Sequence, residues 1–126
     1  MTKVVINKCY GGFTLSKKAI EWLEERGVFN TPYLQDELKR TKDWMKQNLD
    51  SYNPDDMGIA RDNPLLVKCV ETLKRDAFDY RVSNLSVEEV DGTLDKDFFI
   101  GGYDGYEEIF VNEEEADDYS FQDWRN

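Results

Sequence analysis

Within the stretch from Asn7 to Lys18 the chain sets a cysteine, two adjacent glycines between Tyr10 and Phe13, a serine and three lysines, two of them at its end. These types suit anion binding. Gly11 and Gly12 let backbone N–H groups approach a ligand closely, and Ser16 opens a helix whose first N–H groups are unpaired and carry partial positive charge. Lys17 and Lys18 stand in the first turn, where they oppose the helix dipole by a few tenths of a kcal/mol each unless an anion sits nearby. Tyr10 and Phe13 would add a stacking face for a base, and Asn7 a polar contact. The plainer reading of the same residues is a tight turn, with Tyr10 and Phe13 in the core and the lysines solvated. The pattern is neither GxxxxGK[ST] nor GxGxxG, so no phosphate-binding fingerprint is present.

Cys9 would need Lys8, Lys17 or the helix terminus to stabilise a thiolate, and with no histidine in the chain to act as base it reads more simply as a small buried residue. A second cluster is YDGYE, Tyr103 to Glu107. It reads as a type I′ hairpin turn with flanking tyrosines paired across the strands. If Tyr103, Tyr106 and Glu107 face the first loop, their hydroxyl and carboxylate groups would instead complete a pocket there. The sequence leaves the facing open.

The elements that would position these groups follow from periodicity. KVVINKC reads as a strand that puts Asn7 and Cys9 on one face. Ser16 caps a helix with Ala19, Ile20 and Leu23 on its apolar face and Gly27 as its stop. Thr31-Pro32 opens a second helix with a stripe of Leu34, Leu38, Met45 and Leu49, ending in the loop from Ser51 to Met57. Asp62 or Asn63 caps a third, with Pro64 in its first turn and Leu66, Cys69, Val70 and Leu73 on its apolar face. From Tyr80 onward the pattern turns to strands: Val82 to Val90, then DFFIGGY and YEEIFV around Asp104-Gly105. The expected class is α+β: a small mixed or antiparallel sheet of the N-terminal strand plus the C-terminal hairpin strands, with three helices on one face. Residues 1–111 make one domain. The acidic segment 112–126 is either a tail or docked by Tyr119, Phe121 and Trp124.

At 126 residues with 40% hydrophobic content the chain can bury a core despite 34% charged residues. No apolar run is long enough to span a membrane, and the opening is too short for a signal peptide. Two cysteines are too few for a disulfide framework and are expected as free thiols. The absence of histidine excludes Ser-His-Asp and Cys-His sites within the chain and removes the commonest zinc ligand. No EF-hand pattern occurs, and neither metal nor cofactor is implied. Met1 to Val87 carries 14 basic and 13 acidic residues, whereas Glu88 to Asn126 carries 2 and 14. Such a last third repels nucleic acid and anionic membranes and favours a basic protein surface or cations.

KVVINKCYGGF followed by LS and a helix, then RDNPLLVKCVE, then YDGYE, resembles a widespread set of small bacteriophage and prophage proteins of uncharacterised function. The resemblance covers roughly Lys3 to Gly27 and Arg61 to Phe110. It implies a viral, non-structural protein in the bacterial host cytoplasm and brings no catalytic residues with it. The expectation that results is a non-catalytic binding protein, in counter-defence or host takeover, that traps a nucleotide-like small molecule or inhibits a basic host protein. Two other classes stay open: a small enzyme acting on a nucleotide or phosphoester, and a phage structural or assembly accessory protein.

Overall fold

The computed structural model describes residues 1–47, 53 and 55–112. Its centre is β1 (Thr2–Asn7), in which Val4, Val5 and Ile6 are at most 2% exposed, so the strand is covered on both faces. A continuous apolar run, in place of alternation, is what such a strand needs. β1 pairs antiparallel with β2 (Leu85–Val90), from Thr2 opposite Val90 to Asn7 opposite Leu85. On one side Val5 joins Leu85 in the main core, where Leu15, Ala19, Ile20, Leu23, Leu66, Val67, Cys69 and Val70 pack from the helices and their connections. On the other side Val4 and Ile6 meet Phe98, with Val90, Leu94, Ile100 and Ile109 around them.

That second layer is a hairpin, β3 (Phe98–Tyr103) and β4 (Tyr106–Val111), paired from Phe98 opposite Val111 to Tyr103 opposite Tyr106. Asp104 and Gly105 both have positive φ, 52° and 88°, as the type I′ turn requires. The α+β class is therefore present, but its strands form two separate two-stranded antiparallel sheets where one sheet was expected. The reason is the uncovered side of β1. A hairpin continuing the β1–β2 sheet edge to edge would leave Val4 and Ile6 in water, whereas folding it over them removes both from solvent at roughly 2 kcal/mol per side chain. The chain turns over at Thr93 to Asp97, where the Thr93 N–H donates to Asp97 Oδ2 (2.7 Å) and the Asp95 N–H to the Phe98 carbonyl (2.7 Å).

The helices follow the sequence closely. α1 (Lys17–Glu25) starts at Ser16, whose Oγ accepts from the Ala19 N–H at 3.0 Å, and buries Ala19, Ile20 and Leu23. α2 (Pro32–Gln47) packs Leu34, Leu38 and Met45 at the margin of the core and buries only Thr41; Leu49 lies outside the described residues. α3 (Pro64–Leu73) is capped by Asn63, not Asp62, with Oδ1 accepting from the Leu65 N–H at 2.9 Å, and runs into a 3₁₀ turn, Lys74–Ala77. Val82, expected in a strand, lies in the turn before β2. β1 stops at Asn7, so Cys9 is beyond the strand and the shared face foreseen for the two is replaced by a direct bond from the Asn7 amide to the Cys9 carbonyl (2.7 Å). Of the acidic segment only Asn112 is among the described residues. No described helix is long and apolar enough to cross a membrane.

Candidate binding site

The two motifs that the sequence singled out do meet. Asn7, fully buried, donates through its side-chain nitrogen to the carbonyls of Cys9 and Gly105, both at 2.7 Å, and accepts from the Asn84 N–H at 2.8 Å. Its backbone N–H donates to Glu107 Oε1 at 2.7 Å. One amide thus ties the first loop, the hairpin turn and the start of β2 together, with every polar atom of its side chain partnered. Gly105 sits so close that a Cβ there would lie 2.8 Å from Gly12 Cα and from the Tyr10 carbonyl oxygen. Tyr10 and Tyr106 pack ring on ring across this junction, their centroids 5.1 Å apart.

Beneath it lies a residue that sequence reasoning did not single out. Arg61 grips Glu107 in a bidentate pair, Nη1 to Oε1 at 2.6 Å and Nη2 to Oε2 at 2.8 Å, while its Nε donates to Asp56 Oδ2 at 3.0 Å. Nη1 also donates to the Val5 carbonyl at 3.2 Å, and the guanidinium lies 4.1 Å above the Phe13 ring. Both Arg61 and Glu107 are 16% exposed at the side chain. Burial by itself would lower the Arg61 pKa; the hydrogen bonds and charges of Glu107 and Asp56 outweigh it and raise the value. Arg61 stays charged and both carboxylates are held against it. A cavity of about 380 Å³ opens beside this network, between the 56–61 segment and Leu94, Asp95 and Ile100. ARDNP gave no signal for this role, because a charged residue beside a helix cap reads as solvated until its partner, 46 positions away, is placed.

The remaining predicted residues are distributed as follows. Gly11 is pressed on Val82, whose backbone and Cβ occupy the space that a side chain would need. The Gly12 carbonyl accepts from Ser83 Oγ at 2.6 Å, Ser83 Oγ bonds Thr14 Oγ1 at 2.7 Å, and the Thr14 hydroxyl accepts from the Asp79 N–H at 2.9 Å. The glycine loop is therefore fastened on the 79–84 segment. Phe13 is buried under Arg61 while Tyr10 is 66% exposed, so the two rings form no common stacking face. Ser16 is buried; its hydroxyl donates to the Asp76 carbonyl at 2.6 Å and its N–H to the Ala77 carbonyl at 2.9 Å, which places the 3₁₀ turn against the start of α1. Lys18 pairs with Asp76 at 3.4 Å at the surface, and Lys17 lines a groove of about 260 Å³ with Ile20, Glu21, Lys42, Met45 and Lys46. The structure brings together Asn7, Tyr10, Gly11, Gly12, Tyr106 and Glu107; it places Ser16, Lys17 and Lys18 against the 3₁₀ turn and α2 instead. Tyr103, the last residue of β3 before the hairpin turn, stands 75% exposed.

Neither thiol is in a disulfide: Cys9 is half-buried, and Cys69 is fully buried, where desolvation pushes its pKa up to about 12 despite the opposing charge of Arg26. A thiol so displaced is no nucleophile at neutral pH.

The outward face of the hairpin is a different kind of surface. Strand alternation sends Phe98, Ile100, Ile109 and Glu107 inward and Phe99, Tyr103, Tyr106, Glu108 and Phe110 outward. Phe99 and Phe110 stack with centroids 5.3 Å apart and are 48% and 43% exposed. Four aromatic rings, Phe99, Tyr103, Tyr106 and Phe110, share this face in a stretch, Glu88 to Asn112, that holds eight carboxylates and one lysine, and Tyr10 of the first loop packs on Tyr106. Comparison with protein-family models, with curated proteins and with solved structures finds no match to this chain.

Proposed function

We propose that this protein is a non-catalytic binding module that docks on a basic surface of another protein through the outward face of the β3–β4 hairpin. The observation that carries the reading is the aromatic strip of exposed Tyr10, Phe99, Tyr103 and Phe110 with half-buried Tyr106, set among carboxylates. Rings of this kind supply affinity at an interface centre, and the surrounding negative charge steers a basic partner. The ionic cluster at Arg61 supports a structural role for its groups: Asp56 and Glu107 are committed to the guanidinium and offer no free base. Between the two occupants expected of a binding protein, the geometry favours the protein partner, since the glycine loop and the start of α1 are both packed against other segments of the chain. In the phage setting that the opening motif resembles, the activity would be counter-defence or takeover of a basic host protein in the bacterial cytoplasm.

The test is affinity capture from host cells with the wild-type chain and a Glu108→Lys, Phe110→Lys variant, followed by direct titration of the captured protein. A basic partner held by the wild type, released by rising salt and lost with the folded variant is the expected result. Equal retention by both proteins would move the interface elsewhere. Calorimetric titration against nucleotides and cyclic dinucleotides checks the small-molecule alternative on the same samples.

A further inference from the structure

The edge of β3 that faces away from β4 points to a second copy of this chain. In the hairpin, Tyr103 opposite Tyr106 flanks a two-residue turn, so the backbone groups of Tyr103, Gly101 and Phe99 bond to β4 and those of Gly102 and Ile100 point the other way. Two bonds confirm this parity: Asn112 N–H donates to the Asp97 carbonyl across the hairpin, while the outward carbonyl of Phe98 is taken by Asp95 N–H, each at 2.7 Å. Among the described residues no backbone hydrogen bond reaches the outward N–H and C=O groups of Ile100 and Gly102.

Open edges are usually blunted by charge, proline or a bulge. β3 has none of these: FFIGGY is uncharged, its register is unbroken, and it lies in the most acidic part of the chain. β2, whose second edge is also unpaired among the described residues, carries Glu88 and Glu89 and would repel a copy of itself. β3 is the edge on which like-charged molecules meet without a carboxylate in the strand.

We propose that β3 pairs antiparallel with β3 of a second copy about a two-fold axis at Gly101. In that register the N–H and C=O of Ile100 exchange bonds with those of Gly102 in the partner copy, and the reverse, which uses every outward group left over. The same register sets Phe99 opposite the partner copy's Tyr103 on the outward face, twice. These two rings are 48% and 75% exposed in the single chain. Gly101 meets its counterpart with no side chain between, its own position being covered by the Phe110 ring. With roughly 150–250 Å² per aromatic side chain, the exposed parts of the four rings amount to about 500 Å², so side-by-side pairing removes at most that much before the backbone is counted. That places the dimer in the weak, concentration-dependent class. The result is a four-stranded sheet presenting two aromatic strips side by side, independent of whether a basic protein docks on them.

Sedimentation velocity from micromolar to near-millimolar protein tests this. The mass rises from 14.8 kDa towards twice that value for the wild type. Tyr103→Glu, on an exposed position and checked for folding by circular dichroism, weakens dimerisation roughly tenfold or more because two aromatic pairs are lost at once. Phe99→Lys combined with Tyr103→Glu restores it at low salt, since the new charges face each other only across the two-fold. A wild type that stays monomeric throughout overturns the proposal. So does an undiminished Tyr103→Glu dimer, or a folded double variant that stays monomeric.

Discussion

Replacing Arg61 with methionine tests the joint on which the two motifs depend. The substitution keeps an unbranched chain over Phe13 but strips Glu107 of two charge-assisted bonds and Asp56 of one. Glu107 is 16% exposed and keeps only the Asn7 N–H, so its charge is left nearly uncompensated. Removing one partner of such a pair costs about 3–5 kcal/mol. Asp56, at 32% side-chain exposure, can recover water and adds little. We therefore expect a loss of about 3–4 kcal/mol in urea unfolding followed by tryptophan fluorescence and circular dichroism, with the slope unchanged. For a chain of this size that corresponds to a fall in Tm of roughly 8–16 °C. Glu107→Gln, which leaves Arg61 paired with Asp56, costs less. The double variant, having no stranded Glu107 charge, is more stable than the sum of the single losses implies, by roughly 1–3 kcal/mol. Arg61→Met within about 0.5 kcal/mol of wild type, the usual range of a surface change, would refute the reasoning. So would strict additivity in the cycle.

Gly105→Ala and Gly11→Val each destabilise the fold severely, the first because its Cβ meets Gly12 and Tyr10 at 2.8 Å on a backbone with φ of 88°, the second because Val82 fills its space; Lys17→Ala, on an exposed position, leaves the melting curve in place. Thermal melts of the three variants check this. Asp79 is held below its usual carboxylate range by hydrogen bonds from Arg81, against the opposing effect of burial. A depressed folded pKa means stabilisation present above the unfolded value of about 3.9 and lost as pH falls through the folded one. Asp79→Asn therefore lowers stability at pH 7 and progressively less below pH ~4, measured by urea unfolding across the range.

What the sequence determined by itself is whatever rests on neighbours in the chain. The Ser16 cap with its Ala19, Ile20 and Leu23 face, the Pro64 start of α3, and the Asp104-Gly105 turn are local choices of capping, spacing and φ, and each stands where the residues place it. The adjacency of Tyr10, Gly11 and Gly12 was visible too, but not its purpose. Their space is set by Val82, Ser83 and Gly105, residues about 70 to 95 positions away whose approach no periodicity encodes. Tertiary structure alone decided that Phe13 turns inward and Tyr10 outward, and that Ser16 meets the 3₁₀ turn. The division of the strands into two sheets belongs to the same group. KVVIN shows an unbroken apolar run, which requires cover on both sides of the strand, yet what supplies the second cover depends on where the hairpin lands. Arg61 is the clearest case. A largely desolvated cation is tolerable only when Glu107, Asp56 and the Val5 carbonyl arrive together, and that coincidence exists only in three dimensions.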